Sequence, residues 1–206
     1  MWPAILEKAF AKYHGNYLHT EGGHSSTGVQ TLYGAPYADH KHENETLDKL
    51  WEILVAADKA NDIITCGSHS TPSGSHDQKD PTYGIAYNHA YTVVGVKELS
   101  NGVKFVRVRN PWGTETYNGP WNDSDERWTP ELREEIGVAA DNDGIWHAPL
   151  EDYHKMMELT SINKNTTGWT YDYFLKLDDK TGPNGKDEWC GEKCTRHELK
   201  VTSDVA

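Results

Sequence analysis

Residues 88–113 read NHAYTVVGVKELSNGVKFVRVRNPWG. Two stretches of it, 90–96 and 103–109, are rich in Val, Tyr and Phe and alternate apolar with polar residues, which is typical of β-strands. The residues between them include Ser-Asn-Gly at 100–102, a combination that tight turns favour. The stretch therefore predicts an antiparallel hairpin.

A histidine and an asparagine stand at the open end of this hairpin. His89 precedes the first strand and Asn110 follows the second, at nearly equal distances from the turn. In an antiparallel pair, residues that face each other are equally far from the turn along the chain. We therefore expect the two side chains to lie within hydrogen-bond reach of each other.

Such a pair has a possible chemical use. A neutral imidazole can take the proton of a thiol, and the resulting thiolate–imidazolium pair is a strong nucleophile near neutral pH. The imidazole needs a third group that fixes its tautomer and orientation. In cysteine proteases an Asn side chain can fill this role. Trp112 can cover the pair and exclude water. On spacing alone, the alternative is a strand-end histidine with satisfied hydrogen bonds and no catalytic role.

Length and composition bound the rest. The 206 residues suffice for one well-cored domain with an appended piece. A net charge of −12 argues against nucleic acid or an anionic membrane as a partner. No 18-residue apolar run and no signal peptide are present, so we expect neither a membrane span nor secretion. Three cysteines, an odd number, favour a reducing, intracellular and cytoplasmic setting over a disulfide framework.

Helix and strand signals occur along most of the chain. Apolar residues at helical spacing predict helices over 2–13 and 47–55, the second with Thr46 as N-cap. A third, short helix is predicted from Pro130 with Thr129 as its N-cap, and a short strand over 63–66. The segment 142–162 predicts a turn, a strand and a further segment of periodic apolar residues.

Residues 16–46 are predicted to be mostly loop, because Gly, His, Asn and Thr dominate them. Four histidines in this segment raise the possibility of a metal site: His19, His24, His40 and His42. Histidines in loops are more often solvated than ligating, so we expect these side chains to face solvent.

Several motifs together resemble the calpain family of cysteine endopeptidases. They are NHAYTVVGV followed by VRVRNPWG, then GPWND and DGIW, with WPAILEKAFAKYHGNY and a Gly-Gly near the N-terminus. The resemblance runs over about residues 2–165. It implies an α+β fold, the second half of a papain-like protease, with an antiparallel sheet or barrel-like core and flanking helices. It covers a protease subdomain at 1–165. The polar composition and the final alternating stretch of the remaining residues predict a tail at 166–206, in which a following β domain is expected to start.

The resemblance assigns roles to the residues of the hairpin. His89 corresponds to the catalytic histidine, Asn110 to the catalytic asparagine and Trp112 to the tryptophan that shields them. The implied activity is calpain-like cleavage of protein substrates inside the cell. Asn88 stands where the family usually has Gly, and its side chain changes how the backbone of a substrate would approach.

The nucleophile of the family is missing. Calpains carry it in an earlier subdomain, in a motif of the form Q-x-x-x-G-D-C-W, and the chain has no such motif. Cys66 lies on a predicted strand and is expected to be a small core residue, while Cys190 and Cys194 lie in the tail. We expect the chain alone to be inactive and to need the Cys-bearing subdomain as its partner. The alternative is a non-catalytic, calpain-like interaction module.

Calpains also bind Ca²⁺ in this half of their core. Asp123 and Asp143 match positions of acidic ligands, whereas Thr116 and Ile145 stand where two further acidic ligands are expected. Because Ca²⁺ requires six to eight oxygen ligands, several of them charged, the resemblance implies a weakened calcium site.

Overall fold

An open sheet of six strands forms the centre of the computed structural model, which describes residues 2–71, 78–137 and 142–169. The strands are β1 (Tyr37–Lys41), β2 (Ile63–Ser68), β3 (Ala90–Glu98), β4 (Lys104–Arg109), β5 (Ile145–Pro149) and β6 (Met157–Asn163). Their order is β1-β6-β2-β3-β4-β5, and every neighbouring pair is antiparallel. The predicted antiparallel sheet is confirmed, and the described strands do not close into a barrel.

Five α-helices accompany the sheet in the described residues. They are α1 (Trp2–Tyr13), α2 (Ser25–Tyr33), α3 (Leu47–Lys59), α4 (Pro130–Ile136) and α5 (Leu150–Met156). The predicted caps are present, because the Thr46 side chain accepts the amide of Lys49 and that of Thr129 accepts the amide of Leu132. None of the described helices is both long and apolar enough to cross a membrane.

The main core lies between one face of the sheet and the helices α3 and α5. Leu50, Leu54 and Ala57 recur at helical spacing on α3 and are fully or almost fully buried. From the sheet they meet alternate residues of neighbouring strands, which include Ile64, Val93, Val106, Val108 and Trp146. This packing fixes the register of the hairpin β3–β4, and with it the position of the residues at its open end.

A second, smaller core covers the other face at the β4 end of the sheet. Leu99, Phe105 and Trp128 are its buried residues, with Leu132 and Ile136 of α4 packed against them. Phe105 therefore points away from the main core while its neighbour Val106 points into it. Successive side chains of β4 thus pack alternately into the main core and into the smaller one.

Part of the loop predicted at 16–46 is regular structure, so that prediction was wrong. Helix α2 and strand β1 both lie there. Strand β1 reads YADHK and is exposed except for a half-buried His40, so it carries no alternating apolar pattern. It forms because it pairs with β6, a contact between residues more than 100 positions apart. Such non-local pairing leaves no local signal in the sequence.

One histidine of that segment was also predicted wrongly. His42 is 2% exposed rather than solvated. Its Nε2 lies 2.8 Å from Thr160 Oγ1, and its Nδ1 lies 3.2 Å from the carbonyl oxygen of His154.

The second half of the segment 142–162 forms α5 and β6, so the periodic apolar pattern covers a helix and a central strand.

The hairpin β3–β4 contains an irregularity that shifts its register. Val96 faces Val106, whereas Thr92 faces Arg109, because the ladder is interrupted between Val93 and Gly95. Continued beyond the last pair, this register puts Asn110 opposite position 91, two residues from His89. The residues of the pair are diagonal rather than direct neighbours, which still leaves long side chains within reach.

Residues up to Thr167 form one compact unit, and Gly168–Ala206 form another. The tail predicted at 166–206 falls mostly outside the described residues, as do Cys190 and Cys194. The division of the chain at 165 therefore stays a prediction.

Candidate active site

The backbone of His89 is held against the end of β2. Ser68 Oγ accepts the amide of His89 at 3.0 Å and donates to the carbonyl of Ala86 at 2.7 Å. The amide of Ser68 in turn donates to the carbonyl of His89 at 3.0 Å. These contacts fix the direction in which the imidazole leaves the chain, just before β3 begins.

The imidazole is bonded to the predicted asparagine. His89 Nε2 lies 3.1 Å from Asn110 Oδ1. Because a carboxamide oxygen can only accept, Nε2 carries the proton, and in the neutral ring Nδ1 then holds the free lone pair. Nδ1 makes no hydrogen bond to any residue that the structure describes. The ring is thus oriented as a base, with its accepting nitrogen unoccupied.

Asn110 is itself held on every side. Its side chain is fully buried, its Nδ2 donates to the carbonyl of Thr114 at 3.1 Å, and its Oδ1 also accepts the amide of Trp112. Its amide donates to the carbonyl of Gly144 at 2.8 Å. With nitrogen and oxygen both engaged, the carboxamide has one orientation, and Oδ1 faces His89.

Gly144 lets two loops approach closely behind Asn110. Its φ is +82°, and a Cβ there would lie 3.0 Å from backbone atoms of Gly113 and Thr114 and 3.1 Å from Asn110 O. A side chain would push the loop after β4 away from β5. The DGIW motif is thus linked physically to the position of Asn110.

Two aromatic rings enclose the imidazole. The ring of Trp112 lies 4.2 Å from that of His89, centroid to centroid, and Tyr91 meets the imidazole edge-on at 4.7 Å. Tyr91 is buried, whereas Trp112 is 56% exposed. Trp112 therefore lies over the imidazole on its solvent side, and the shielding role assigned to it stays a prediction.

A cavity of about 550 Å³ opens beside His89. Its walls come from the glycine pair 22–23, from β2 around Gly67, and from Asn88 to Ala90. Asn88 has a φ of +49°, in the left-handed region where Asn is tolerated better than most residues. The conformation that a glycine would adopt freely is therefore retained at this position, with a side chain added at the edge of the cavity.

Comparison with known protein families identifies the family to which this chain belongs. The family model described as calpain family cysteine protease matches residues 1–164. The chain belongs to the calpain family. The resemblance predicted from its motifs is confirmed, and residues 1–164 are a calpain-family cysteine protease domain.

Relatives in animals and plants agree with this assignment. The chain is 34% identical over 167 residues to calpain-9 of Rattus norvegicus, covering 78% of this chain and 24% of that protein. It is 34% identical over 161 residues to the calpain-type cysteine protease ADL1 of Oryza sativa subsp. japonica, covering 74% and 7%. The chain thus spans about a quarter or less of the length of these relatives.

Among solved structures, the chain is similar to the proform of the Amb a 11 cysteine protease, a major ragweed pollen allergen. The TM-score is 0.31 and the sequence identity 17%, over 79% of this chain and 40% of that one.

Cys66 belongs to the main core and also borders the cavity beside His89. It is 2% exposed in the main core, and burial raises the pKa of its thiol to about 12, although a hydrogen bond with Tyr153 acts in the opposite direction. A thiol with so high a pKa supplies almost no thiolate near neutral pH. The prediction that Cys66 is a small core residue is confirmed.

The loop predicted to hold Ca²⁺ contains an acidic residue that the motif comparison missed. Glu115, the neighbour of Thr116, carries its carboxyl group beside that of Asp123. Burial, then the charge of Asp123 and the sharing of a hydrogen bond with it, raise the pKa of Glu115 to about 8. Two carboxyl groups so close share a proton readily at neutral pH.

The expected ligands do not converge into a finished metal site. Asp143 Oδ1 accepts the amide of Ile145, and Asp143 contributes only a charge effect on Glu115. Across residues 2–71, 78–137 and 142–169, no three His, Cys, Asp or Glu side chains lie close enough together to hold a metal ion. Calcium binding at this loop therefore stays a prediction.

Proposed function

We propose that this chain supplies the general base and its orienting group to a calpain-type cysteine endopeptidase. The observation that carries the proposal is the hydrogen bond between His89 Nε2 and Asn110 Oδ1 beneath Trp112. That bond leaves Nδ1 of the neutral ring as the acceptor. The peptidase activity proposed for the whole protein is supported by this geometry and by the membership of the chain in the calpain family.

The proposed reaction is acyl transfer through a thiol ester. His89 Nδ1 takes the proton of a cysteine thiol, and the thiolate attacks the carbonyl carbon of the scissile peptide bond. The imidazolium then gives its proton to the leaving amine, and the C–N bond breaks. Water, deprotonated by the same ring, hydrolyses the thiol ester and restores the thiol. Asn110 holds the imidazole ring throughout, and Trp112 keeps water away from the hydrogen bond between Asn110 and His89.

The thiol is proposed to come from a Cys-bearing subdomain outside this chain. Cys66 is too deeply buried to serve. The apolar side of α1 supports a missing partner, because Trp2, Ile5 and Leu6 are 72%, 65% and 43% exposed. An apolar helix face left in water is typical of a surface that another part of the protein covers. A free thiol nucleophile also fits the predicted intracellular, reducing setting.

Protein substrates are proposed to lie in the cavity beside His89. It adjoins the imidazole and is bordered by the glycines at 22, 23 and 67, where an added Cβ would meet no atom within 4 Å. Small residues let a substrate backbone approach closely.

The test compares the full-length protein with this chain alone, on a casein-type substrate with and without a thiol-blocking reagent. His89→Ala in the full-length protein is expected to lower kcat/KM by about 10³-fold or more. His14→Ala, at an exposed histidine just after α1, is the matched control and is expected to leave it unchanged. Thiol-dependent cleavage by the chain alone would refute the need for an outside thiol.

The alternative is an interaction module whose protease site has decayed. The observation that favours it is the incomplete acidic set around Asp123 and Asp143. Labelling of the full-length protein with a peptide that carries a thiol-reactive group distinguishes the two. Labelling that depends on His89 supports the protease, and its absence in a correctly folded protein supports the module.

Calcium binding in the loop of Asp123 and Asp143 stays a proposal of its own, and no step above passes through a metal. Calorimetric titration of the chain with millimolar Ca²⁺ tests it. Heat that vanishes in an Asp123→Asn variant supports binding at this loop, and no heat at all rules it out.

A further inference from the structure

A second buried site lies away from His89, where β4 and β5 pair. Arg107 and His147 face each other directly across these strands. Their neighbours Val106, Val108 and Trp146 point into the main core, so Arg107 and His147 point to the opposite face. The ring of Trp128 lies edge-on to His147 at 6.1 Å there. The two residues thus stand beside the smaller core.

Neither residue finds a partner for its buried polar atoms. His147 is 3% exposed, and both of its ring nitrogens lack a hydrogen bond. The Nε of Arg107 is buried and lacks one as well, and within the described residues the guanidinium forms no ion pair. Buried polar groups are nearly always satisfied, so unpaired groups on two facing residues point to a missing ligand.

Both residues line a cavity of about 140 Å³. A water molecule takes up roughly 30 Å³ in the liquid, so the cavity has room for an ion of several heavy atoms. The space arises where the ladder of β3 is interrupted, since Gly95 stands opposite Arg107 and has no side chain to fill it. Solvent reaches it past Val94 and Lys97, which are exposed.

The charge around the cavity is opposite to that of the chain. The sequence has 32 acidic and 20 basic residues, yet the titratable residues that line this cavity are Lys97, Arg107 and His147, all basic. The nearby carboxylates are already engaged, because Glu135 accepts the amide and hydroxyl of Ser100 and Asp143 accepts the amide of Ile145. Lys97 donates to the main-chain carbonyl of Glu135, so its ammonium stays at the rim.

We propose that this cavity binds a tetrahedral oxyanion of the phosphate class, held by the guanidinium of Arg107 and the imidazole of His147, with Lys97 at the entrance. Arginine offers planar, paired donors that match two oxygens of such an ion. The imidazole donates to a third. A metal cation is excluded by the charge of Arg107, and an apolar ligand would leave the nitrogens unpaired.

The electrostatics around His147 agree with this assignment. Burial, and then the charge of Arg107, lower the pKa of His147 to about 4, and only Asp143 acts in the opposite direction. An oxyanion between the two side chains would offset both effects. The cavity shares no lining residue with the one beside His89, so the site is independent of the proposed protease function.

The test follows the ¹⁵N signals of the histidine rings in the 206-residue chain during titration with inorganic phosphate at constant ionic strength. A saturable change of the His147 signals, assigned with His147→Leu, is expected. Arg107→Gln is expected to weaken binding by about tenfold or more, the factor that one lost charge-assisted hydrogen bond implies. Arg109→Gln changes the same charge on the same strand at an exposed position outside the cavity, and it is expected to bind like the wild type.

Three results of the phosphate titration would overturn the proposal. They are a His147 signal that does not respond to phosphate, a response that never saturates, and equal weakening by the two arginine variants, which would indicate general charge attraction. If Arg107→Gln does not fold, competition in the wild type decides: sulfate should displace phosphate, being of similar shape. Acetate that binds as strongly as phosphate would show a carboxylate site and would also overturn it.

Discussion

Two histidines lie equally deep in this protein and have opposite surroundings. His42 is 2% exposed and His147 is 3% exposed, and burial is the main cause that lowers the pKa of each to about 4. Both nitrogens of His42 are bonded, to Thr160 and to the carbonyl of His154, whereas neither nitrogen of His147 is. Equal burial and an equal pKa therefore say nothing about what a histidine does.

The hydrogen-bond partners separate the two cases. Around His42 the donors and acceptors form a closed series, in which the Tyr153 hydroxyl also bonds Thr160 Oγ1 at 2.7 Å. Such a network has no capacity left for a ligand and serves the fold. Around His147, both ring nitrogens and the Nε of the facing Arg107 lack a hydrogen-bond partner, and the two residues line a cavity. The comparison shows that hydrogen-bonding groups without a partner, rather than groups with a shifted pKa, mark a candidate binding site.

The largest expected effect comes from breaking the closed network. His42→Leu removes two hydrogen bonds and leaves the His154 carbonyl without its partner, so it should lower the free energy of unfolding at pH 7 by about 3 kcal/mol. Urea denaturation followed by tryptophan fluorescence measures it. His40→Leu, at a half-buried position on β1 nearby, is the control and should cost less. An effect below that of the control would show that the network does not stabilise the fold.

The same variant has a predictable dependence on pH. A histidine whose pKa is lowered in the folded state takes up protons more readily when unfolded, so the stability it confers is complete above about pH 6.5 and is lost as the pH falls toward 4. For His42 that loss is at most about 3 kcal/mol. The cost of His42→Leu should therefore shrink over this interval.

Measuring the difference between variant and wild type is necessary because Glu115 acts in the opposite sense. Its pKa is raised in the folded state, so its contribution to stability grows as the pH falls through about 8. The pH dependence of the wild-type stability alone combines the contributions of His42 and Glu115. A cost of His42→Leu that stays constant from pH 7 to pH 4 would contradict the burial of a neutral ring at position 42.

Sequence predicted the elements whose signals are local. The helix caps at Thr46 and Thr129 and the hairpin of β3 and β4 are each encoded within a few residues. The pairing of His89 with Asn110 also followed from distance to the turn. The interruption of the ladder between Val93 and Gly95 did not, since it depends on how both faces of the strand pack.

The rest depends on contacts between distant parts of the chain. His42 sits in a stretch of polar residues that reads as loop, and it is buried because β1 adds to β6 and brings it under α5. Glu115 was passed over because motif alignment placed the ligand at Thr116, while the turn directs the neighbouring side chain toward Asp123. An alternating pattern does place His147 and Arg107 on one face, but only the three-dimensional structure shows that they lack partners.

His89 lies between the two buried histidines in this comparison, with one nitrogen bonded and one free. Asn110→Ala removes its partner together with the bonds to Thr114 and Trp112. We expect a loss of about 1–2 kcal/mol in unfolding free energy. Three neutral hydrogen bonds are lost from a buried side chain, but the partners His89 and Trp112 are themselves partly exposed, so water can reach the groups that are freed. Asn44→Ala, at an exposed position, should have no measurable effect. Equal stability of the two variants would mean that Asn110 does not hold this corner of the fold.

The smallest expected effect is the most informative about the comparison. His147→Leu removes no hydrogen bond and eliminates two unpaired nitrogens, while a side chain of similar size keeps the contact with Trp128. In phosphate-free solution its unfolding free energy should therefore stay within about 1 kcal/mol of the wild type. With saturating phosphate the wild type should gain stability and the variant should gain less, because a ligand that binds only the folded state stabilises it. If His147→Leu instead proves as costly as His42→Leu without phosphate, the imidazole contributes to packing as His42 does, and the contrast between the two histidines is lost.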